Sequence, residues 1–129
     1  MVWALGCVFA ASLSAAQTDP LPRFVDVAQE AGLTLLNISG TTRKDYIVEV
    51  SGNGAAFFDY DNDGDMDVLT VNGSTLERIR QGGDLMAALY NNDGHGKFSN
   101  LTSRSQLNTK GWGKGVCVAD YDNDGFRDV

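Results

Sequence analysis

Two nine-residue stretches of this 129-residue chain place carboxylates at alternate positions: Asp59-Tyr60-Asp61-Asn62-Asp63-Gly64-Asp65-Met66-Asp67 and Asp120-Tyr121-Asp122-Asn123-Asp124-Gly125-Phe126-Arg127-Asp128. Both read D-x-D-x-D-G-x-x-D. Acidic side chains at positions 1, 3 and 5 of a tight loop suit a hard cation, and calcium takes six to eight oxygens at about 2.3–2.6 Å. A glycine at position 6 permits the positive φ that turns the backbone, so that the carbonyl of position 7 also faces the ion. The expected ligands are Asp59, Asp61, Asp63, the carbonyl of Asp65, and Asp67 in loop 1. In loop 2 they are Asp120, Asp122, Asp124, the carbonyl of Phe126, and Asp128. Magnesium fits less well, because it keeps its waters and uses few carboxylates.

The charge balance supports this reading. The formal net charge is −7, from 17 acidic residues against 10 Lys and Arg. Nine of the 17 acids lie in the two loops, so the rest of the chain is slightly basic. Clustered carboxylates repel one another unless a cation neutralises them. No basic stripe offsets the acidity, which argues against nucleic acid as a partner.

The segments that must position these loops are short, apolar and β-like. Gly54–Phe58 enters loop 1 and Val68–Val71 leaves it; Asn72-Gly73 is a turn signal. Thr75–Met86 reads as an exposed connection, Ala87–Asn91 as a strand, and Asn92–Gly96 as a turn returning through Lys97–Leu101. Gly115–Ala119 repeats the approach to loop 1. Upstream, Phe24–Val27 alternates like a strand and Ala28–Ala31 reads as one helical turn stopped by Gly32. Asn37–Asp45 reads as a loop and Tyr46–Val50 as a short strand.

The loops lie 61 residues apart with three strand candidates between them, which makes one period a four-stranded unit. The expected class is therefore all-β, an array of β-propeller blades carrying D-x-D-x-D-G-x-x-D calcium loops. Phe98–Thr102 echoes Phe24–Ala28 at a spacing of 74, so the connection to loop 1 is longer by an insertion that maps to Asn37–Val50. The chain reaches Val129 one residue into the expected exit strand of loop 2. Residues 24–129 are therefore expected to be the start of a propeller, a fragment truncated in its second repeat.

Val2–Ala16 is apolar or small and ends in Ser14-Ala15-Ala16 before Gln17-Thr18-Asp19-Pro20. That is the pattern of an h-region and a small-residue cleavage site, so residues 1–16 are read as a signal peptide and 17–23 as a flexible lead. No Lys or Arg follows Met1, so the basic n-region is absent and either the start lies upstream or the signal is weak; the abrupt polar switch at Gln17 favours cleavage over a buried helix, and Ala4-Leu5-Gly6-Cys7 resembles a lipoprotein box only with its Leu displaced. The expected location is secreted, extracellular or periplasmic. After cleavage Cys117 is the only thiol, which leaves no intrachain disulfide; its repeat partner is Ala56, and a buried, inert thiol is expected.

The run Gly54–Val68, followed by Leu89–Phe98, is similar to the FG-GAP/VCBS repeat, the calcium-binding β-propeller repeat also found in integrin α-chains. Phe24–Leu33, Tyr46 and loop 1 together most resemble secreted proteins of the cartilage-acidic-protein type, which often carry an ASPIC/UnbV domain. The resemblance implies a seven-bladed propeller with calcium in loops on one face. Loop 2 departs from loop 1 in carrying Phe126-Arg127 for Asp65-Met66, which lowers its local negative charge.

Competing readings are weaker. An EF-hand needs a bidentate Glu at position 12, where this chain has Thr70, and its flanks are helices. No carboxylate pair stands apart from the loops for acid–base work, His95 sits in a glycine-flanked turn, and no nucleophile-elbow pattern occurs. Trp112 is a candidate aromatic contact for a sugar or a protein loop. Asn37-Ile38-Ser39, Asn72-Gly73-Ser74 and Asn100-Leu101-Thr102 are glycosylation sequons. The expected function is a non-enzymatic, calcium-stabilised module for adhesion or binding to a protein or carbohydrate, without a membrane span. The alternative is the propeller part of an extracellular polysaccharide- or lipid-acting enzyme whose catalytic residues lie elsewhere.

Overall fold

The computed structural model describes residues 21–129; the expected signal peptide, Cys7 and most of the expected lead lie outside the described residues. Four strands, β1 (Ala55–Phe58), β2 (Asp67–Val71), β4 (Ala87–Asn92) and β5 (Phe98–Asn100), form one antiparallel sheet in the order β1-β2-β4-β5. This is the four-stranded unit read from the repeat spacing. A two-stranded ribbon pairs β3 (Asp84–Leu85) with β6 (Lys110–Gly111). The register sets Phe58 opposite Asp67 and Val68 opposite Tyr90.

Successive residues of a strand point to opposite faces, so β2 and β4 each supply two cores. On one face Phe58, Leu69 and Leu89 are buried, with Val116 and Val118 packed against them. On the other face are Val68, Ala88 and Tyr90, against which Leu33, Leu35 and Phe98 pack. Tyr90 is wholly buried, and its hydroxyl accepts a hydrogen bond from the Leu35 N–H at 2.9 Å, tying the upstream segment to the sheet. Gly115–Ala119, expected as a strand, makes only the bridge between Ala119 and Asp128 among the described residues.

Upstream, α1 (Ala28–Ala31) ends at Gly32, whose φ of 93° is the left-handed cap expected there. Phe24–Val27 is exposed coil and pairs with nothing among the described residues. Tyr46–Val50, expected as a strand, instead forms a 3₁₀ turn over Ile47–Glu49. The buried Glu49 carboxylate explains it, accepting from the N–H groups of Thr41 at 3.0 Å and Tyr46 at 3.1 Å. Burial opposes its charge, yet those N–H groups, with Asp45 N–H and Lys44, hold its carboxyl below the ordinary carboxylate value. Lys114 closes the same segment from outside, its Nζ donating to the Ser51 carbonyl at 3.1 Å and to the Val48 carbonyl.

The connection after β2 contains α2 (Leu76–Arg80), where only an irregular exposed segment was expected. Thr75 caps it, its side chain accepting from the Arg78 N–H at 3.1 Å. Arg78 then binds Asp84, whose carboxylate also accepts from the buried Ser74 hydroxyl at 2.7 Å. Asn72 is buried as well, its side-chain oxygen accepting from the Ile38 N–H at 2.8 Å. The sequon Asn72-Gly73-Ser74 is therefore structural, whereas Asn37 and Asn100 are exposed.

Two stability predictions follow from these contacts. Tyr90→Phe keeps the ring but strands the Leu35 N–H, and chemical denaturation should register a loss of about 1–2 kcal/mol. The Arg78 and Ser74 hydrogen bonds hold Asp84 below its ordinary value of 3.8. A depressed folded value means that the stabilisation is complete above about pH 3.8 and fades as the pH falls through the folded value. The stability gap between wild type and Asp84→Asn, from urea melts, should therefore be wide at neutral pH and narrow in acid; a gap constant with pH counts against this network.

Candidate metal centre

Loop 1 is the turn between β1 and β2, so the β1–β2 register fixes its two ends. Within it, Asp59 Oδ1 accepts from the Asp63 N–H at 3.1 Å and Oδ2 from the Gly64 N–H at 2.9 Å. Asp63 Oδ1 accepts from the Asp65 N–H at 2.9 Å. Gly64 has the expected positive φ, 95°, and Asn62 has one too, 60°. Asparagine is among the few non-glycine residues that tolerate this region, the available signal for a second left-handed position that the glycine alone does not reveal.

Loop 2 repeats each of these bonds and adds one from the Asp124 N–H to Asp122 Oδ1 at 3.2 Å. Asp120 accepts from the N–H groups of Asp124 and Gly125, both at 3.0 Å, and Asp124 Oδ1 accepts from the Phe126 N–H at 2.8 Å. Asn123 and Gly125 have φ of 61° and 93°.

In each loop the carboxylates at positions 1, 3 and 5 converge. One oxygen from each of Asp59, Asp61 and Asp63 lies within 4.8 Å of the others, and the same holds for Asp120, Asp122 and Asp124. Positions 3 and 5 are exposed and position 1 is half-buried, so the converging oxygens face outward. A carboxylate has about four lone-pair sites, so the backbone bonds at Asp59 and Asp120 leave acceptor capacity. Three anionic oxygens on a glycine-turned loop fit a hard divalent cation.

The ninth-position acids stand apart from these groups. Asp67 is wholly buried, and both its oxygens are engaged. Oδ2 accepts from the Tyr60 N–H at 3.0 Å, while Oδ1 accepts from the Asn92 N–H at 2.8 Å and from the Asn91 amide at 3.3 Å. Asp128 Oδ2 accepts from the Tyr121 N–H at 3.0 Å, the same bond in loop 2. The Asp65 side chain lies against the β4–β5 turn, where a Cβ added to Gly94 would come within 2.6 Å of its Oδ2. Phe126 is exposed beside Arg127. Burial and the neighbouring Asp61 carboxylate raise the Tyr60 phenol above its ordinary value, so it stays protonated beside the loop.

Other singled-out residues take different places. His95 is conformational: its Nδ1 lies 2.9 Å from the Asp93 carbonyl, and Asp93 Oδ1 accepts from the His95 and Lys97 N–H groups that close the turn. Trp112 is half-buried and lines an apolar cavity of about 600 Å³, with Lys114 Nζ 5.4 Å from its ring centre. Cys117 corrects the expectation of a buried thiol, because it is exposed. Val116 and Val118 on either side face the core, so the residue between them faces out.

An antiparallel four-stranded unit whose acidic turn recurs one period later defines a repeat module. Residues 59–129 match the FG-GAP-like repeat, and the chain belongs to that family. No curated protein and no solved structure matches it. Among the described residues no helix is long and apolar enough to cross a membrane.

The two kinds of aspartate should separate by mutation. Without divalent cations Asp67→Ala leaves buried donors unpaired and should lose about 2–3 kcal/mol in urea unfolding, whereas Asp61→Ala should stay within about 0.5 kcal/mol of wild type.

Proposed function

We propose that this chain is a calcium-stabilised β-propeller repeat module of an extracellular or periplasmic protein that acts by binding or adhesion rather than by catalysis. The observation that carries the reading is the duplicated loop, with the same five-point acid pattern, the same internal hydrogen bonds and the same convergence of positions 1, 3 and 5. When bound, calcium supplies charge neutralisation, and Asp59, Asp61, Asp63, Asp120, Asp122 and Asp124 are the side chains that would hold it. Asp65 and Phe126 are the positions whose carbonyls the pattern assigns to the ion. Asp67 and Asp128 hold each loop shut through the N–H of the second residue, which keeps the outer carboxylates converged.

The family membership and the four-stranded unit favour a propeller, and the upstream Phe24–Leu33 and Tyr46 favour the cartilage-acidic-protein type, with seven blades and an ASPIC/UnbV domain in the whole protein. The ligand class is protein or carbohydrate. The acids that could serve an acid–base reaction are the ones assigned to metal, which favours binding over catalysis. A ligand that binds only the folded state raises the melting temperature. Thermal melts of the full-length protein in millimolar calcium should lie about 5 °C or more above melts in EDTA. Equal midpoints would sink the calcium reading.

A further inference from the structure

The two acidic loops are neighbours in space. Val116 and Val118, which lead into loop 2, pack against the core cluster that contains Phe58, which leads into loop 1. The backbones run so close that a Cβ added to Gly54 would meet the Gly115 Cα at 3.0 Å. Between the loops lies a cleft of about 440 Å³ lined by Phe57, Phe58, Asp59, Asn62, Met66, Val118 and Arg127. Across it the Asn62 side-chain amide donates to the Gly125 carbonyl at 3.3 Å.

Both ends of that bond are shape-determining positions. Asn62 is the left-handed residue between the converging Asp61 and Asp63. Gly125 is the left-handed sixth residue of loop 2, and its N–H holds Asp120 Oδ2 at 3.0 Å. We infer that the Asn62–Gly125 hydrogen bond couples the two loops, so that cation binding by one favours cation binding by the other; this rests on the calcium reading above. Drawing Asp61 and Asp63 onto an ion fixes the residue between them. The fixed amide holds the Gly125 carbonyl, and the N–H of that same peptide, the Phe126 N–H, donates to Asp124 Oδ1, the fifth-position carboxylate of loop 2, at 2.8 Å. Asn62 is thus a positioning residue for loop 2. Direct repulsion between two cations acts in the opposite sense and is screened by salt, whereas the contact is not.

The test is an NMR titration of the full-length protein with calcium in 0.5 M salt, roughly three times physiological strength. The Gly64 and Gly125 amides, each bonded to its own loop's first carboxylate, report the two loops separately. Asp61→Ala, with D61N as a milder second variant, should weaken calcium at Gly125 by about fivefold, the factor expected of one net hydrogen bond. By reciprocity Asp122→Ala should weaken calcium at Gly64 equally. Asn62→Gly tolerates the positive φ and removes the amide, and in that background the Asp61 effect should vanish. Asn123→Gly is the control: it is the same position in loop 2, and its side chain makes no cross-loop bond among the described residues, so the coupling should persist. If both amides titrate but Gly125 ignores D61A, the coupling is wrong while calcium binding stands. An Asp61 effect that survives N62G also overturns it, and if neither amide responds the calcium reading falls too.

Discussion

A carboxylate with no exposure to water governs the arrangement of the sheet. Asp67 is wholly buried, and an ionised group there is tolerated only when its oxygens are hydrogen-bonded. The partners that satisfy it are spread across the structure: the Tyr60 N–H in loop 1, the Asn92 N–H in β4, and the Asn91 side chain. Meeting that requirement fixes the turn of loop 1 to the β2–β4 pair. It also brings Asn92 to where its amide donates to the Met66 carbonyl at 3.0 Å, and the β4–β5 turn to where Gly94 leaves no room for a side chain beside Asp65. Loop 1 is therefore anchored at its inner end while Asp61 and Asp63 remain exposed.

This divides labour among residues of one type. Five aspartates at alternate positions look equivalent as a pattern, and on a strand they would share a face. In the loop the left-handed Asn62 and Gly64 break that alternation. The acids at positions 1, 3 and 5 converge outward, and the acid at position 9 re-enters the sheet as the first residue of β2. A residue that begins a strand opposite Phe58 takes its environment from the sheet, so its partners are two peptide N–H groups and the Asn91 amide.

The same contrast explains how much was legible in the residues. The strands flanking loop 1 and the hairpin after it could be read because short apolar runs bounded by glycine and asparagine carry their own signal. The 3₁₀ turn at Ile47–Glu49 was read as a strand because Tyr46–Val50 is β-prone locally, whereas a buried carboxylate bonded to Thr41 and Tyr46 decides its shape. The signal for α2 was present in Thr75 as a cap before Leu76–Arg80, but the two following glycines suggested an irregular segment. The acidic loops were found by pattern alone; the separation of Asp67 from the other acids needed its tertiary partners.

Loop 2 shows which of these properties belong to the motif itself. It lacks the buried setting of loop 1, since Asp128 is only half-buried and the rest of the loop is largely exposed. Even so, the bonds from positions 5 and 6 to position 1 recur, the bond from position 2 to position 9 recurs at the same 3.0 Å, and the Ala119–Asp128 bridge repeats the Phe58–Asp67 pairing. These bonds are made within nine consecutive residues and do not require the buried setting of loop 1. What the nine residues do not contain is their neighbour. Asn62 and Asn123 occupy identical positions with nearly identical φ, 60° and 61°, yet among the described residues only Asn62 bonds to the other loop. A motif whose internal bonds recur in both copies and whose fourth-position amide is left over for a neighbour is suited to repetition, because each copy can be joined to the next without altering the shape of either.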